Sequence, residues 1–264
     1  MSSNDLQTSK DSGFKDQFKI RYSRPEAYAT PPEYVEVPPS PNYYRPEFLN
    51  DYLEHYQRFW LDPNYLTDFS EAFSKFLGPR YTGSVLDAGC GMGHFKNKLN
   101  LTLQQYTGLE LNHAFVKAGR ECFPGIKLVV AAVENIPFPD NYFDCVICSD
   151  VLIHIEDMAA GLRELIRVSK SDVLMRIRSG NGASQVGKIV YDPARSRLFS
   201  RVQVRGTWQY FYYNVLAPED LSTLLREAGI TEYQCLDLLP PDSNELGVTK
   251  VFFNVQQAKN TGLL

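Results

Sequence analysis

No stretch of the 264-residue chain is long and apolar enough to cross a bilayer as a helix, so a membrane-spanning protein is not what this sequence describes. The first 20 residues are too rich in Ser, Asp, Lys and Gln for the apolar centre of a secretory signal, which makes the cytoplasm the expected compartment. A basic excess is missing too. With 27 Lys and Arg against 31 Asp and Glu, the formal net charge is −4, and no global positive field draws in nucleic acid. Cysteine is scarce. Five thiols (Cys90, Cys122, Cys145, Cys148, Cys235) suit a reducing compartment, and the C-x-x-C of Cys145 and Cys148 falls on an expected strand, where positions i and i+3 face opposite sides. No metal site is therefore expected.

Two nucleotide-binding loops are absent as well. A dinucleotide fingerprint counted from Gly89 needs a third glycine at position 94, which is His94, and no Gly-Lys-Ser/Thr triplet supplies a Walker A loop. What is present is Ser84-Val-Leu-Asp87-Ala-Gly89-Cys90-Gly91-Met-Gly93-His94-Phe95, an apolar strand that ends in Asp87 and runs into glycines on alternate positions. Glycine has no Cβ to block close approach and accepts positive φ, so this turn makes a surface on which a flat ligand can lie. A helix starting near Gly93 would add unpaired N–H groups for the ligand's anionic end.

A second strand should end in Tyr106-Thr-Gly-Leu-Glu110-Leu111, where an ionised acceptor can take both hydrogen bonds of a ribose diol. A third passage, Val129 to Asp140 followed by Tyr142-Phe143-Asp144 and the strand Cys145 to Ser149, completes an ordered set of three motifs at strand ends. The set resembles that of class I S-adenosylmethionine-dependent methyltransferases of the small-molecule type, over roughly residues 80–180. The resemblance implies S-adenosyl-L-methionine as cofactor and S-adenosyl-L-homocysteine as product. It implies a cofactor set of Asp87, Gly89, Cys90, Gly91, Gly93, Glu110, Leu111, Val133, Glu134 and Ser149, with Glu110 on the ribose. Ala132 stands where the family often has an acidic residue facing adenine, so apolar walls and the backbone around Val133 and Glu134 must take that task, unless Glu134 itself substitutes.

The pattern predicts an α/β fold, a doubly wound and mostly parallel seven-stranded sheet with helices on both faces. Residues 1–40 read as a polar tail and an extended Pro/Tyr-rich arm, 41–80 as a helical lid over the cofactor, 81–258 as the methyltransferase domain and 259–264 as a tail. Strands are expected at 83–88, 105–110, 127–131, 143–149 and 171–178, with helices from 93, at 113–121 and at 157–168. An insertion at 180–217 should hold strands Ser196–Val204 and Thr207–Tyr213, before a helix at 218–228 and a closing hairpin at 231–238 and 248–256.

Methyl transfer from a sulfonium is an in-line displacement, so positioning and desolvation can supply most of the catalysis and a base is optional. His154, after the fourth strand, is the candidate general base; the competing reading has its ring packing on the cofactor or capping the next helix. Asp150 is a candidate for substrate binding or turn capping. Arg178 or Arg176 could hold a substrate carboxylate, or pair with Asp150 or Glu156. Tyr56 and Trp60 from the lid, with Trp208, Tyr210 and Tyr212 on one face of an insertion strand, could box a cationic substrate. The resulting expectation is methylation of a small polar metabolite, N-methylation of an amine or guanidine favoured over O-methylation, with a homodimer as one state and neither nucleic acid nor membrane as partner. Rival readings are an RNA or protein methyltransferase and a cofactor-binding module without turnover.

Overall fold

The computed structural model describes residues 53, 56–155, 157–180, 188–191, 209–212, 215–237 and 246–260, with backbone alone at 180, 188–191, 209–212 and 246. Within this span β1 (Val85–Ala88), β2 (Tyr106–Glu110), β3 (Lys127–Val130), β4 (Phe143–Ser149), β5 (Ser169–Gly180), β8 (Gln234–Leu236) and β9 (Leu246–Asn254) form one sheet in the order β3-β2-β1-β4-β5-β9-β8. Pairing is parallel from β3 through β5 and antiparallel for β9 and β8. β6 (Lys188–Tyr191) and β7 (Gln209–Tyr212) make a separate antiparallel ribbon, as an insertion after the fifth strand requires. The second insertion strand matches expectation, and the Ser196–Val204 strand lies outside the described residues, as do Glu156 and Trp208.

Both faces of the sheet are covered because its strands are apolar on both sides. On one face α4 (Met158–Val168) and α5 (Pro218–Glu227) bury Leu162, Leu165, Leu221 and Leu224 against Val146, Cys148, Val173 and Met175. On the other, α1 (Thr67–Leu77) lays Phe69 and Phe73 into a cluster with Val85, Cys145, Ile147 and Leu174, and Phe76 stacks on Phe252 at 4.6 Å. Cys145 and Cys148 thus fall in different clusters, the alternation expected of a strand. α3 (His113–Cys122) begins at Asn112, whose Oδ1 accepts from the Ala114 N–H at 2.8 Å.

The helix expected from 93 is α2 (Phe95–Lys98), four residues long and led into by turns from Gly91 to His94. The chain cannot continue that helix because Leu99 leaves the α region and Asn100 takes a positive φ of 54°.

Candidate active site at the carboxyl edge of the sheet

The order β3-β2-β1-β4 makes β1 the point at which the chain reverses its direction of growth, and ligands of open α/β sheets bind beyond the strand ends there. At that edge Gly89, Gly91 and Gly93 all take positive φ (81°, 57° and 82°), so the glycines are needed for backbone shape. A Cβ on Gly89 would overlap Val151, and one on Gly91 would stand 2.6 Å from Trp60 Cη2.

The loop is tied down from within. The Gly89 and Cys90 N–H groups donate to the Leu109 carbonyl at 2.7 and 2.9 Å, and the Gly91 N–H donates to Glu110 Oε2 at 2.9 Å. Glu110 Oε1 accepts from the Asn112 N–H at 2.9 Å, so each carboxylate oxygen holds one backbone donor and keeps a lone pair for a ligand hydroxyl. Burial lifts the Glu110 pKa from 4.5 to about 7 against those backbone hydrogen bonds, which pull it down. Asp87 lies beneath the loop and is pushed up to about 7 by burial, with Glu110's charge adding to the rise and the Tyr106 hydroxyl, which donates to Asp87 Oδ2 at 2.5 Å, opposing it.

Trp60 and Tyr56 cover the loop. Their rings stack at 4.7 Å, Trp60 lies parallel to His94 at 5.4 Å, and Phe115 meets both edge-on. His94 is buried with neither ring nitrogen hydrogen-bonded among the described residues, and burial drives its pKa down to about 3, so the ring is neutral. Within the stretch expected as a lid, the helical residues 56–60 bring Trp60 onto the glycine loop, and α1 is built into the core.

Across the edge, β4 ends at Ser149, the register partner of Arg176 on β5. Asp150 follows with φ 58°, its N–H held by the Arg176 carbonyl at 2.9 Å and its Oδ2 by the Arg176 guanidinium. This realises the Asp150–Arg176 ion pair, whereas Glu156, the other expected partner, lies outside the described residues. His154 closes a 3-10 turn (Leu152–His154), and β7 runs alongside that turn. The cap of α4 is Asp157, whose Oδ1 accepts from the Ala160 N–H, so helix capping does not fall to His154.

Buried polar atoms without a partner among the described residues collect at this edge: Asn112 Nδ2 beyond β2, both His94 nitrogens in the loop after β1, Ser149 Oγ and Asp150 Oδ1 at the end of β4, and Arg176 Nε and Arg178 Nε on β5. Such groups cost free energy unless something completes them, and their concentration along one edge is the signature of a ligand site. A nucleoside cofactor with a hydroxyl pair and an amino-acid tail fits this donor and acceptor set: Glu110 and Asn112 suit the hydroxyls, and the glycine surface admits a close approach.

The other sequence candidates are distributed as follows. Leu111 is half-buried beside Glu110, and Glu134 is half-buried with its pKa raised mainly by burial. Two cofactor candidates do not present side chains to the site. Cys90 Sγ is buried beneath the loop against Gly108, and Val133 belongs to the core under α4, which leaves only its backbone for a ligand. Nor are the glycine N–H groups open to an anion. Those of Gly89, Gly91 and Gly93 are spent on Leu109, Glu110 and Cys90. The side chains of Tyr210 and Tyr212 lie outside the described residues. Tyr106, Asn112 and Tyr65 escaped the sequence reading; only Asn112, a polar residue directly ahead of a helical pattern, carried a local signal.

Comparison with known proteins agrees with this geometry. Residues 86–177 match the family model described as "Methyltransferase domain". A protein of Mycobacterium tuberculosis named as a probable S-adenosylmethionine-dependent methyltransferase is 26% identical over 157 residues, which cover 59% of this chain and 52% of that protein. The chain thus spans about half the length of the curated relatives it matches first. Among solved structures, the 1,6-didemethyltoxoflavin-N1-methyltransferase of Burkholderia thailandensis, with that molecule and S-adenosylhomocysteine bound, shares 17% identity at a TM-score of 0.53, covering 88% of this chain and 99% of its own. The [4+2]-cyclase SpnF shares 14% identity at a TM-score of 0.56, covering 79% and 92%.

Proposed function

The chain carries a class I S-adenosylmethionine-dependent methyltransferase domain, and from that premise we propose that it transfers a methyl group to a small polar metabolite, with an amine or guanidine nitrogen as the favoured acceptor. The carrying observation is the collection of unpartnered buried polar atoms along the edge that runs from Glu110 and Asn112 to Ser149, Asp150 and β5. One end of that edge suits the cofactor, and the other suits a substrate.

S-adenosylmethionine supplies an electrophilic methyl on a sulfonium. In this reading Glu110 accepts from the ribose hydroxyls while its other lone pairs keep the Gly91 and Asn112 N–H groups in place. The neutral His94 and the Trp60 and Tyr56 rings exclude water from the reacting edge, which raises the weight of every electrostatic contact there. Asp150 is fixed by Arg176 and orients the loop ahead of His154. A nitrogen acceptor that arrives neutral needs no base, and aromatic faces from the lid and the β7 ribbon would hold a cationic substrate before proton loss. Among the described residues no helix is long and apolar enough to cross a membrane.

Because a cyclase shares the fold, the test must follow the methyl group itself. Full-length protein is incubated with methyl-labelled cofactor and a fractionated metabolite pool, and labelled products are identified by mass spectrometry. Label on an amine or guanidine nitrogen of a small molecule supports the proposal. Label on oxygen would favour His154 as a base, and label only on RNA or protein would overturn the proposed substrate class.

A further inference from the structure

Arg178 is a cation set into the rim of the site with no counter-charge among the described residues. It shares a face of β5 with Arg176 and Leu174, two residues apart in each step, and so lies above the cluster that holds α1. The neighbouring cations are matched. Arg176 pairs with Asp150 and lies 3.9 Å from Asp68, while Lys250 pairs with Asp68 at 2.7 Å and with Asp237. Arg178 forms no salt bridge among the described residues, and its Nε is buried without a hydrogen-bond partner. Arg176 and Arg178 both act on the half-buried Tyr65 phenol, where burial raises the pKa and the two guanidiniums oppose it. Tyr65 lies 6.4 Å from the His94 ring, which links Arg178 to the glycine loop through a short row of side chains.

A guanidinium stays ionised under all ordinary conditions, so holding the half-buried Arg178 with its Nε shut off from water and no anion among the described residues is unfavourable in the free protein. A ligand oxyanion would reverse that cost, because guanidinium binds carboxylate or phosphate through two parallel charge-assisted hydrogen bonds. Ser149 Oγ and Asp150 Oδ1, unpartnered at the adjoining end of β4, could take the polar groups between the anion and the methyl-accepting atom. We propose that Arg178 is a specificity-determining residue that seats an anionic group, carboxylate or phosphate, of the substrate. The methyl-accepting atom then lies toward Ser149 and the glycine loop. This rests on the proposed small-molecule reading and narrows it to amines or guanidines that also carry a carboxylate or a phosphate.

The test titrates full-length protein, with and without S-adenosylhomocysteine, with benzoate, phenyl phosphate, benzylamine and benzyl alcohol, followed by ligand-observed NMR. The anionic probes should bind at least tenfold tighter than benzyl alcohol and benzylamine. The better of the two anions distinguishes a carboxylate site from a phosphate site. Arg178→Gln should abolish the preference while S-adenosylhomocysteine affinity stays as in the wild type, and Arg178→Lys should retain part of it. Equal binding of neutral, cationic and anionic probes to the wild type, which needs no variant to fold, would overturn the inference, as would an anion preference that survives Arg178→Gln. Absence of S-adenosylhomocysteine binding would instead overturn the parent reading, because the anion preference is also measured without it.

Discussion

Replacing Glu110 by Gln separates what this residue does for the ligand from what it does for the fold. The carboxylate accepts two backbone donors, from Gly91 and Asn112, each at 2.9 Å. An amide offers only one acceptor oxygen, so one buried N–H must face an NH2 group, at a cost of about 1–3 kcal/mol. In the opposite direction, the rise of the Glu110 pKa from 4.5 to about 7 corresponds to about 3 kcal/mol that Gln does not incur. The two effects offset, so Glu110→Gln should unfold within about 2 kcal/mol of the wild type in urea. Affinity has no such compensation. Losing one charge-assisted hydrogen bond to a ribose hydroxyl, about 1.5–3 kcal/mol, should weaken S-adenosylhomocysteine roughly tenfold to 150-fold by calorimetry.

The same group sets a pH dependence. A carboxyl whose folded pKa is raised contributes stability that is present below its unfolded value and lost as pH rises toward about 7, whereas a ligand that needs the ionised form binds better over that rise. Wild-type affinity should increase by up to about tenfold between pH 6 and 8, and Glu110→Gln should be flatter. Wild-type affinity in the variant, or equal slopes in both proteins, would refute the assignment of Glu110 to the ribose.

Gly89→Ala combines a φ of 81° with overlap on Val151 and should cost roughly 2–4 kcal/mol in denaturant unfolding, with Val151→Ala restoring only part of the loss. Tyr106→Phe removes the hydroxyl that donates to Asp87 at 2.5 Å and should destabilise the fold by about 1–3 kcal/mol while raising the pH at which Asp87 ionises, read by NMR. Trp60→Ala should weaken S-adenosylhomocysteine by about tenfold, a loss on the scale of one aromatic contact, and Trp60→Phe should recover most of it. His94 has a depressed folded pKa of about 3, so its contribution is present above the unfolded value of 6.5 and is lost as pH falls below it. Between pH 7 and 5 the wild type should lose about 2 kcal/mol more than His94→Phe in urea unfolding.

Much of the fold was legible because the signals are local. β1, β2, β4 and α4 each lie within two residues of the expected bounds, since apolar runs ending in Asp87, Glu110 and Ser149 can only be buried strands in an α/β alternation. The glycine loop and Glu110 were legible for the same reason, because chain geometry and charge fix them at strand tips. The length of α2 was not. Lys96 to Asn100 keep a helical composition, and what ends the helix is the docking of Leu99 and Leu101 into the core under β2. That Cys90 and Val133 turn their side chains into the core and leave their backbone to a ligand was not legible, because which way a loop side chain turns depends on the neighbouring strand and helix. The division of labour between Arg176 and Arg178 is likewise tertiary. It is set by Asp68 on α1 and Asp150 on the loop after β4, 82 residues apart in sequence.

The most direct measurement is an equilibrium titration of the full-length chain with S-adenosylhomocysteine, run beside NAD as a control that shares its adenosine. The account predicts saturable one-to-one binding of S-adenosylhomocysteine with quenching of Trp60 fluorescence, lost in Trp60→Phe, and no heat with NAD. No binding of S-adenosylhomocysteine, or tight binding of NAD in its place, would contradict it.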